Sequence, residues 1–354
     1  MNSAVEKSRY RGLTDIAWDL DFTDQNIVVT GGAAGIGADK VRALHRLGAN
    51  VITLDIQEKA LEALEAELGG ERITVLPFDL SQSKPKAYEE LAKKIIKASP
   101  NGLIDGYVMN AGVVKLTDIN TYNTVANTPM SEFEKMVQIN ALSHITIYQR
   151  LRDHFAQHAR LLVTSSPIVG RADPKTAGYS VTKRMMDSFA NNIAAELRGT
   201  DMMIAGYVPP PVQNFLRRDL KPNEPLHAHP HGEDILEIPL RLLSPSVRSE
   251  FNGKVIAYGY DNLRDKSGKL ADGKTYDYMP RNLDDNGFIY NLFIRNFDNG
   301  GGDGGDLFLQ GYSTHAMREI MDLGQTPNMD TDQLLKDVYK TPDHIAKNRK
   351  HGPR

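Results

Sequence analysis

NIVVTGGAAGIG, residues 26–37, joins a short β-branched run to a turn carrying four glycines. Asn26–Thr30 has the composition of a strand, and the segment after Gly37 has the apolar period of a helix. A sharp strand–turn–helix passage of this kind is how a parallel α/β sheet begins. Gly31, Gly35 and Gly37 have no side chains, so the backbone can approach a pyrophosphate. The helix N-terminus behind them offers unpaired N–H groups and a positive dipole end. A glycine-rich turn can also be only a tight turn. Its context argues for the cradle: a strand before, a helix after, and Asp55 at the end of the next strand.

Downstream the chain keeps alternating short apolar runs with longer amphipathic ones. Strands are expected at 26–30, 50–56, 72–78, 103–109, 159–165, 202–208 and 253–259. They are apolar on both faces, as strands covered by helices on both sides must be. Helices are expected near 36–48, 58–68, 84–98, 131–156, 178–198 and 233–243. The predicted fold is α/β, a Rossmann-type doubly wound parallel sheet of seven strands with helices on both faces. The expected organisation is an N-terminal arm (1–25), a nucleotide-binding catalytic domain (26–260) and an irregular C-terminal extension (261–354). The extension lacks strand–helix alternation and contains FDNGGGDGGDLF (297–308), which suits a mobile loop. Weak helical patterns fall at 314–323 and 331–339. With few apolar residues of its own, the extension is expected to pack on the main domain or on a neighbouring subunit.

The 354 residues are 40% apolar and 25% charged, an ordinary globular composition. A net charge of −3 favours neither nucleic acid nor an anionic membrane surface. Cysteine is absent, which excludes disulfides, thiolate metal sites and thiol catalysis and fits a reducing compartment. The N-terminus has no apolar signal region and no run is long enough to span a bilayer. A cytoplasmic location is therefore expected.

Asp55 is placed to accept both ribose hydroxyls of an adenosine, and its charge would repel an added ribose phosphate. No Lys or Arg stands in the glycine turn or just after Asp55 to offset that repulsion, so NAD is preferred over NADP. A second constellation lies in TSSPIVGRADPKTAGYSVTK (164–183). Residues four apart share a helix face, which puts Tyr179 and Lys183 together at the carboxyl ends of the strands. Ser166, closing the preceding strand, can face the same crevice. A nearby ammonium and an oxidised nicotinamide would both lower the phenol pKa from its usual value of about 10. A phenol so tuned can take a proton from an alcohol or return one to a carbonyl, with Ser166 holding the reacting oxygen.

These motifs resemble those of the short-chain dehydrogenase/reductase family, single-domain branch, over roughly residues 24–260. TGGAAGIG matches TGxxxGxG, MNAG (109–112) resembles NNAG, and YSVTK matches YxxxK. The resemblance implies that Asn140 completes a catalytic tetrad with Ser166, Tyr179 and Lys183, holding a water that links Lys183 to solvent. It implies cofactor contacts at Gly31, Gly35, Ile36, Gly37, Asp55, Asp79, Leu80, Asn110, Ala111, Gly112, Tyr179, Lys183, Pro209 and Val212. Asp79 would sit beside the adenine, and Asn110 to Gly112 would line the adenosine ribose pocket. It further implies a homodimer or homotetramer and a small-molecule alcohol or ketone substrate. The chain departs from the family at Met109, at the run Pro209, Pro210, Pro211, and at Asn214.

The expected activity is NAD-dependent interconversion of a secondary alcohol and a ketone, with Tyr179 as general acid/base. An epimerase or dehydratase using NAD transiently is one alternative, although its branch carries TGxxGxxG. A non-catalytic NAD-binding protein is another, although a binder has no need of the tetrad. His227, His229 and His231 suit exposed lid residues better than metal ligands, because Pro230 interrupts their geometry; no metal is expected. Arg217, Arg218 and Lys221, with Arg171, Asp173 and Lys175, fit either a polar substrate or a solvated loop. Asp298, Asp303 and Asp306 lack a calcium-binding repeat, and Trp18 suits a packing anchor.

Overall fold

The computed structural model describes residues 20–114, 124–170, 176–210, 212, 232–247, 251–259, 281–284, 287–296 and 307–312. The arm before residue 20, the helical patterns at 314–323 and 331–339, the Gly/Asp-rich segment 297–306 and the lid histidines lie outside them. In chain order the first elements are β1 (Asn26–Thr30), α1 (Gly35–Arg46), β2 (Asn50–Asp55), α2 (Glu58–Glu67), β3 (Ile73–Pro77), α3 (Pro85–Ala98) and β4 (Ile104–Met109). Then come α4 (Met130–Val137), a π-helical turn (Gln138–Leu142), α5 (Ser143–Leu151), β5 (Phe155–Thr164), α6 (Ala177–Glu196), β6 (Met203–Val208), α7 (Glu237–Leu243) and β7 (Lys254–Gly259).

β3-β2-β1-β4-β5-β6-β7 is the spatial order, all parallel. The chain winds outward from β1 to β3, crosses back, and winds the other way from β4. That reversal opens a crevice beyond the carboxyl ends of β1 and β4, where doubly wound sheets take ligands. Alternate residues of each strand feed two cores. Ile27 and Val29 pack with Val41 and Leu44 of α1, Leu64 of α2 and Ile238 and Leu242 of α7. Val28, Ile52 and Leu54 pack on the other face with Leu91 and Ile95 of α3, Ile147 and Leu151 of α5, and Met186 and Ile193 of α6.

The predicted seven-stranded sheet is present, with most strand ends within one residue of expectation. β5 is the exception, beginning at Phe155 rather than 159. The helix expected over 131–156 stops at Leu151 and a 3-10 turn (Arg152–His154) follows. Phe155 and Ala156 are buried while Gln157 and His158 are exposed, and the ladder to β4 shifts register between Ile104 and Gly106. A bulged first stretch of the strand with two exposed polar residues hides its start from a search for apolar runs.

The extension is not wholly irregular. β8 (Arg281–Asp284), β9 (Gly287–Asn296) and β10 (Leu307–Tyr312) join the sheet. β9 lies antiparallel along β7, from Lys254 opposite Asn296 to Gly259 opposite Asn291. β10 and β8 both pair antiparallel with β9. Pairing along all of β7 satisfies backbone groups that an edge strand would leave open.

Candidate active site

The turn after β1 is built by backbone geometry that side chains would obstruct. Gly31 and Gly35 adopt positive φ, 69° and 53°, where β-carbons are strained. A β-carbon on Gly37 would collide with the Gly31 carbonyl oxygen, and one on Gly31 would fall 2.8 Å from Ala111 Cα. α1 therefore starts directly against the turn. No side chain caps its N-terminus at Ala34, so its first N–H groups and dipole face the crevice, a setting suited to a phosphate. Asp55, ending β2, accepts hydrogen bonds from the N–H groups of Ala33 (3.1 Å) and Gln57 (3.0 Å), tying the glycine turn to the next strand. Among the described residues these features fit a dinucleotide.

Asn110 fastens the turn to β4. Its Nδ2 donates to the carbonyls of Thr30 (3.1 Å) and Gly31 (3.3 Å), and the N–H groups of Asn110 and Ala111 donate to Thr30 Oγ1 at 2.9 and 3.0 Å. Gly112 follows, and a β-carbon there would lie 3.6 Å from Lys183 Nζ and 3.5 Å from Asn140 Oδ1. Asp79 is held by Ser81, whose N–H and Oγ each donate at 2.8 Å. Leu80 is buried in the second core, and Ile36 is half-buried against the first. Pro209 follows the end of β6, while Val212 belongs to the first apolar cluster with Ile235 and Leu236. Pro211 and Asn214 lie outside the described residues.

Ser166, Tyr179, Lys183 and Asn140 are all buried. Ser166 sits two residues beyond β5; Tyr179 and Lys183 lie one turn apart near the start of α6. The Ser166 hydroxyl stands beside the Tyr179 phenol and draws its pKa down, and Lys183 Nζ lies 5.6 Å from the centre of the Tyr179 ring. Lys183 Nζ donates to the Thr164 carbonyl at 2.7 Å. Burial lowers the lysine to about 8, with Asp187 opposing.

The lowered phenol expected from the spacing is not met in the protein alone. Burial pushes Tyr179 up to about 12, and the Ser166 hydroxyl only partly opposes it. A phenolate loses more by leaving water than one hydroxyl restores.

Asn140 sits in the π-helical turn between α4 and α5, an irregularity that displaces one residue from the helical ladder. Its side chain pairs with the Val113 backbone through both amide atoms, each at 2.7 Å, and Nδ2 also donates to Thr182 Oγ1 at 3.0 Å. Thr182 Oγ1 donates to the Tyr179 carbonyl at 2.8 Å. Asn140 thus joins the loop after β4 to the helix bearing Tyr179 and Lys183.

Two buried groups escaped the sequence reading. His144 donates from Nε2 to the Ala111 carbonyl at 2.9 Å, and burial lowers it to about 4, leaving it neutral. Lys40 is wholly buried on α1. The available signal was a lysine on the stripe Ile36, Lys40, Val41, Leu44, where the helical period calls for an apolar residue. Among the described residues no three His, Asp or Glu side chains group as a metal site, and no helix is long and apolar enough to cross a membrane.

A doubly wound sheet with a glycine cradle at its switch point and a Ser–Tyr–Lys cluster at the same edge defines a Rossmann-type, nucleotide-binding oxidoreductase. The chain belongs to the short chain dehydrogenase family, whose model matches residues 25–225. It is 27% identical over 172 residues to the (21S)-21-acetoxyl-apo-melianone synthase of Melia azedarach, covering 48% of this chain and 60% of that one. It is 27% identical to L-xylulose reductase of Caenorhabditis elegans, covering 57% and 77%. A short chain dehydrogenase of Shigella flexneri, solved with NADP, shares the fold with TM-score 0.57 at 22% identity, covering 63% of this chain and 92% of that one.

Proposed function

We propose that the protein interconverts a secondary alcohol and a ketone by hydride transfer, with NAD as the preferred cofactor. The observation that carries this is the joining of Ser166, Tyr179 and Lys183 beside a turn where β-carbons on Gly31 and Gly37 would obstruct the backbone. Gly31, Gly35, Gly37 and the α1 N-terminus would hold the pyrophosphate, Asp55 the adenosine ribose, and Lys183 the nicotinamide ribose. Bound nicotinamide supplies the hydride acceptor or donor. Tyr179 gives its phenol proton to a carbonyl oxygen, or takes one from an alcohol. Ser166, beside that phenol, holds the same oxygen. The Lys183 ammonium, fixed by the Thr164 carbonyl, favours the phenolate as the proton leaves. Burial of all three groups excludes water from the transfer.

The preference for NAD rests on the Asp55 carboxylate at the end of β2, whose charge disfavours a 2′-phosphate. A panel of secondary alcohols and ketones with NAD, NADP and their reduced forms, followed at the absorbance of the reduced nicotinamide, tests both parts. Net accumulation of NADH on an alcohol supports the oxidoreductase over a transient-NAD epimerase. Faster turnover with NADP than with NAD overturns the cofactor assignment alone. Exposed Leu142 and Val181, on the π-helical turn and α6, support a homo-oligomer, to be read by light scattering.

A further inference from the structure

The proposed chemistry leaves one buried amine without a role. Lys40 points into the sheet from α1, where Nζ donates to Asn110 Oδ1 at 2.7 Å and to Thr164 Oγ1 at 3.0 Å. It also lies 4.7 Å from the centre of the Tyr207 ring. An amine in an apolar core gives up its hydration, and a methionine of similar length would avoid that loss. Burial holds Lys40 well below the ordinary lysine range, Lys183 acts in the same direction, and Asp39 acts against both.

The partners of this amine suggest what it does. Asn110 bonds the carbonyls of Thr30 and Gly31 through Nδ2, so its amide is clamped between two acceptors on one side and Lys40 on the other. Only one orientation of the amide satisfies both sides. Thr164 accepts Lys40 at its hydroxyl and Lys183 at its carbonyl. One residue therefore fastens the glycine turn after β1 and the strand end to which Lys183 is anchored.

We propose that Lys40 is a positioning residue that locks the dinucleotide turn to the support of Lys183 through Asn110 and Thr164. The inference rests on the cleft being a nicotinamide dinucleotide site. Without Lys40, the tie from the turn across β4 to β5 rests on the longer bond from the Thr164 hydroxyl to Asn110 Oδ1, 3.3 Å, alone.

The test is titration of the full-length protein with NADH and with NADPH, followed by nucleotide fluorescence, alongside thermal melts. Lys40→Met is expected to keep or raise the melting temperature and to weaken binding of the preferred nucleotide about tenfold. Lys40→Gln, which retains a donor, is expected to recover affinity to within about threefold of wild type. Binding by Lys40→Met within twofold of wild type overturns the role. Equal losses in the Met and Gln variants that track a lowered melting temperature also overturn it, since they mark a packing residue only. Should Lys40→Met fail to fold, Thr164→Val decides the matter. It removes one acceptor of Lys40 together with the hydroxyl's own bond to Asn110, and leaves the carbonyl that holds Lys183, so weaker binding is expected and unchanged binding overturns the role. Wild-type protein that takes up neither nucleotide overturns the reading of the cleft and the role together.

Discussion

At Tyr179 two opposing influences meet: burial raises the phenol, the Ser166 hydroxyl draws it down, and the balance stands at about 12. Tyr179→Phe removes the transferable proton and little else. Turnover is expected to fall by about 10²–10⁴-fold while dinucleotide affinity stays within twofold; turnover close to wild type would remove Tyr179 from the chemistry. Lys183 gives a second prediction. At pH 7 its amine is charged in folded and unfolded chains alike, and the folded chain bears the full cost of burying it. Between about 8 and 10.5 the folded chain has released a proton that the unfolded chain keeps. Stability contributed by this group therefore rises with pH through that window, and is lost as pH falls back through it. Lys183→Met has no such proton. Its stability relative to wild type should fall by about 3 kcal/mol between pH 7 and 10.5, read from denaturant midpoints. A constant difference would show that the amine is not desolvated.

Within single elements, α1 and the π-helical turn make the sharpest demands. Gly37→Ala sets a methyl group against the Gly31 carbonyl and the Asn110 amide. Because both contacts are polar groups in fixed positions, the expected result is loss of measurable dinucleotide binding, checked by NADH fluorescence. Asn140→Ala strips three hydrogen bonds and leaves the Val113 N–H without its acceptor. A cost of about 1–3 kcal/mol is expected, with faster hydrogen exchange at the Val113 amide as the local signature. At this scale legibility divides by environment. β1 and β4 read clearly because every residue in them is buried. The first residues of β5 did not, because Gln157 and His158 face solvent. The π-helical turn was hidden as well, since its residues QINAL carry an ordinary helical composition.

For the whole molecule, the added strands change what the sheet presents at its far side. Ending the chain at residue 260 would leave β7 unpaired along all six residues that face β9. Such a truncation should melt at a lower temperature and self-associate, as light scattering would show. Unchanged melting and a monodisperse scattering profile would mean that β9 adds nothing to the sheet. The sequence offered no hint of this arrangement. Strand–helix alternation is the cue for a parallel sheet, and antiparallel strands joined by glycine-rich connections need no helices between them.

From composition, period and spacing alone came the parallel sheet, the glycine cradle, Asp55 and the Ser–Tyr–Lys set, because each depends on local rules: turn sterics, helical pitch and runs buried on both faces. Only the folded chain decided that Lys40 lies inside rather than in water, that Asn140 spends its amide on Val113, and that the phenol begins above its ordinary value. Each of these depends on which distant groups surround a side chain and on how much water they exclude, and neither is written into the neighbouring residues.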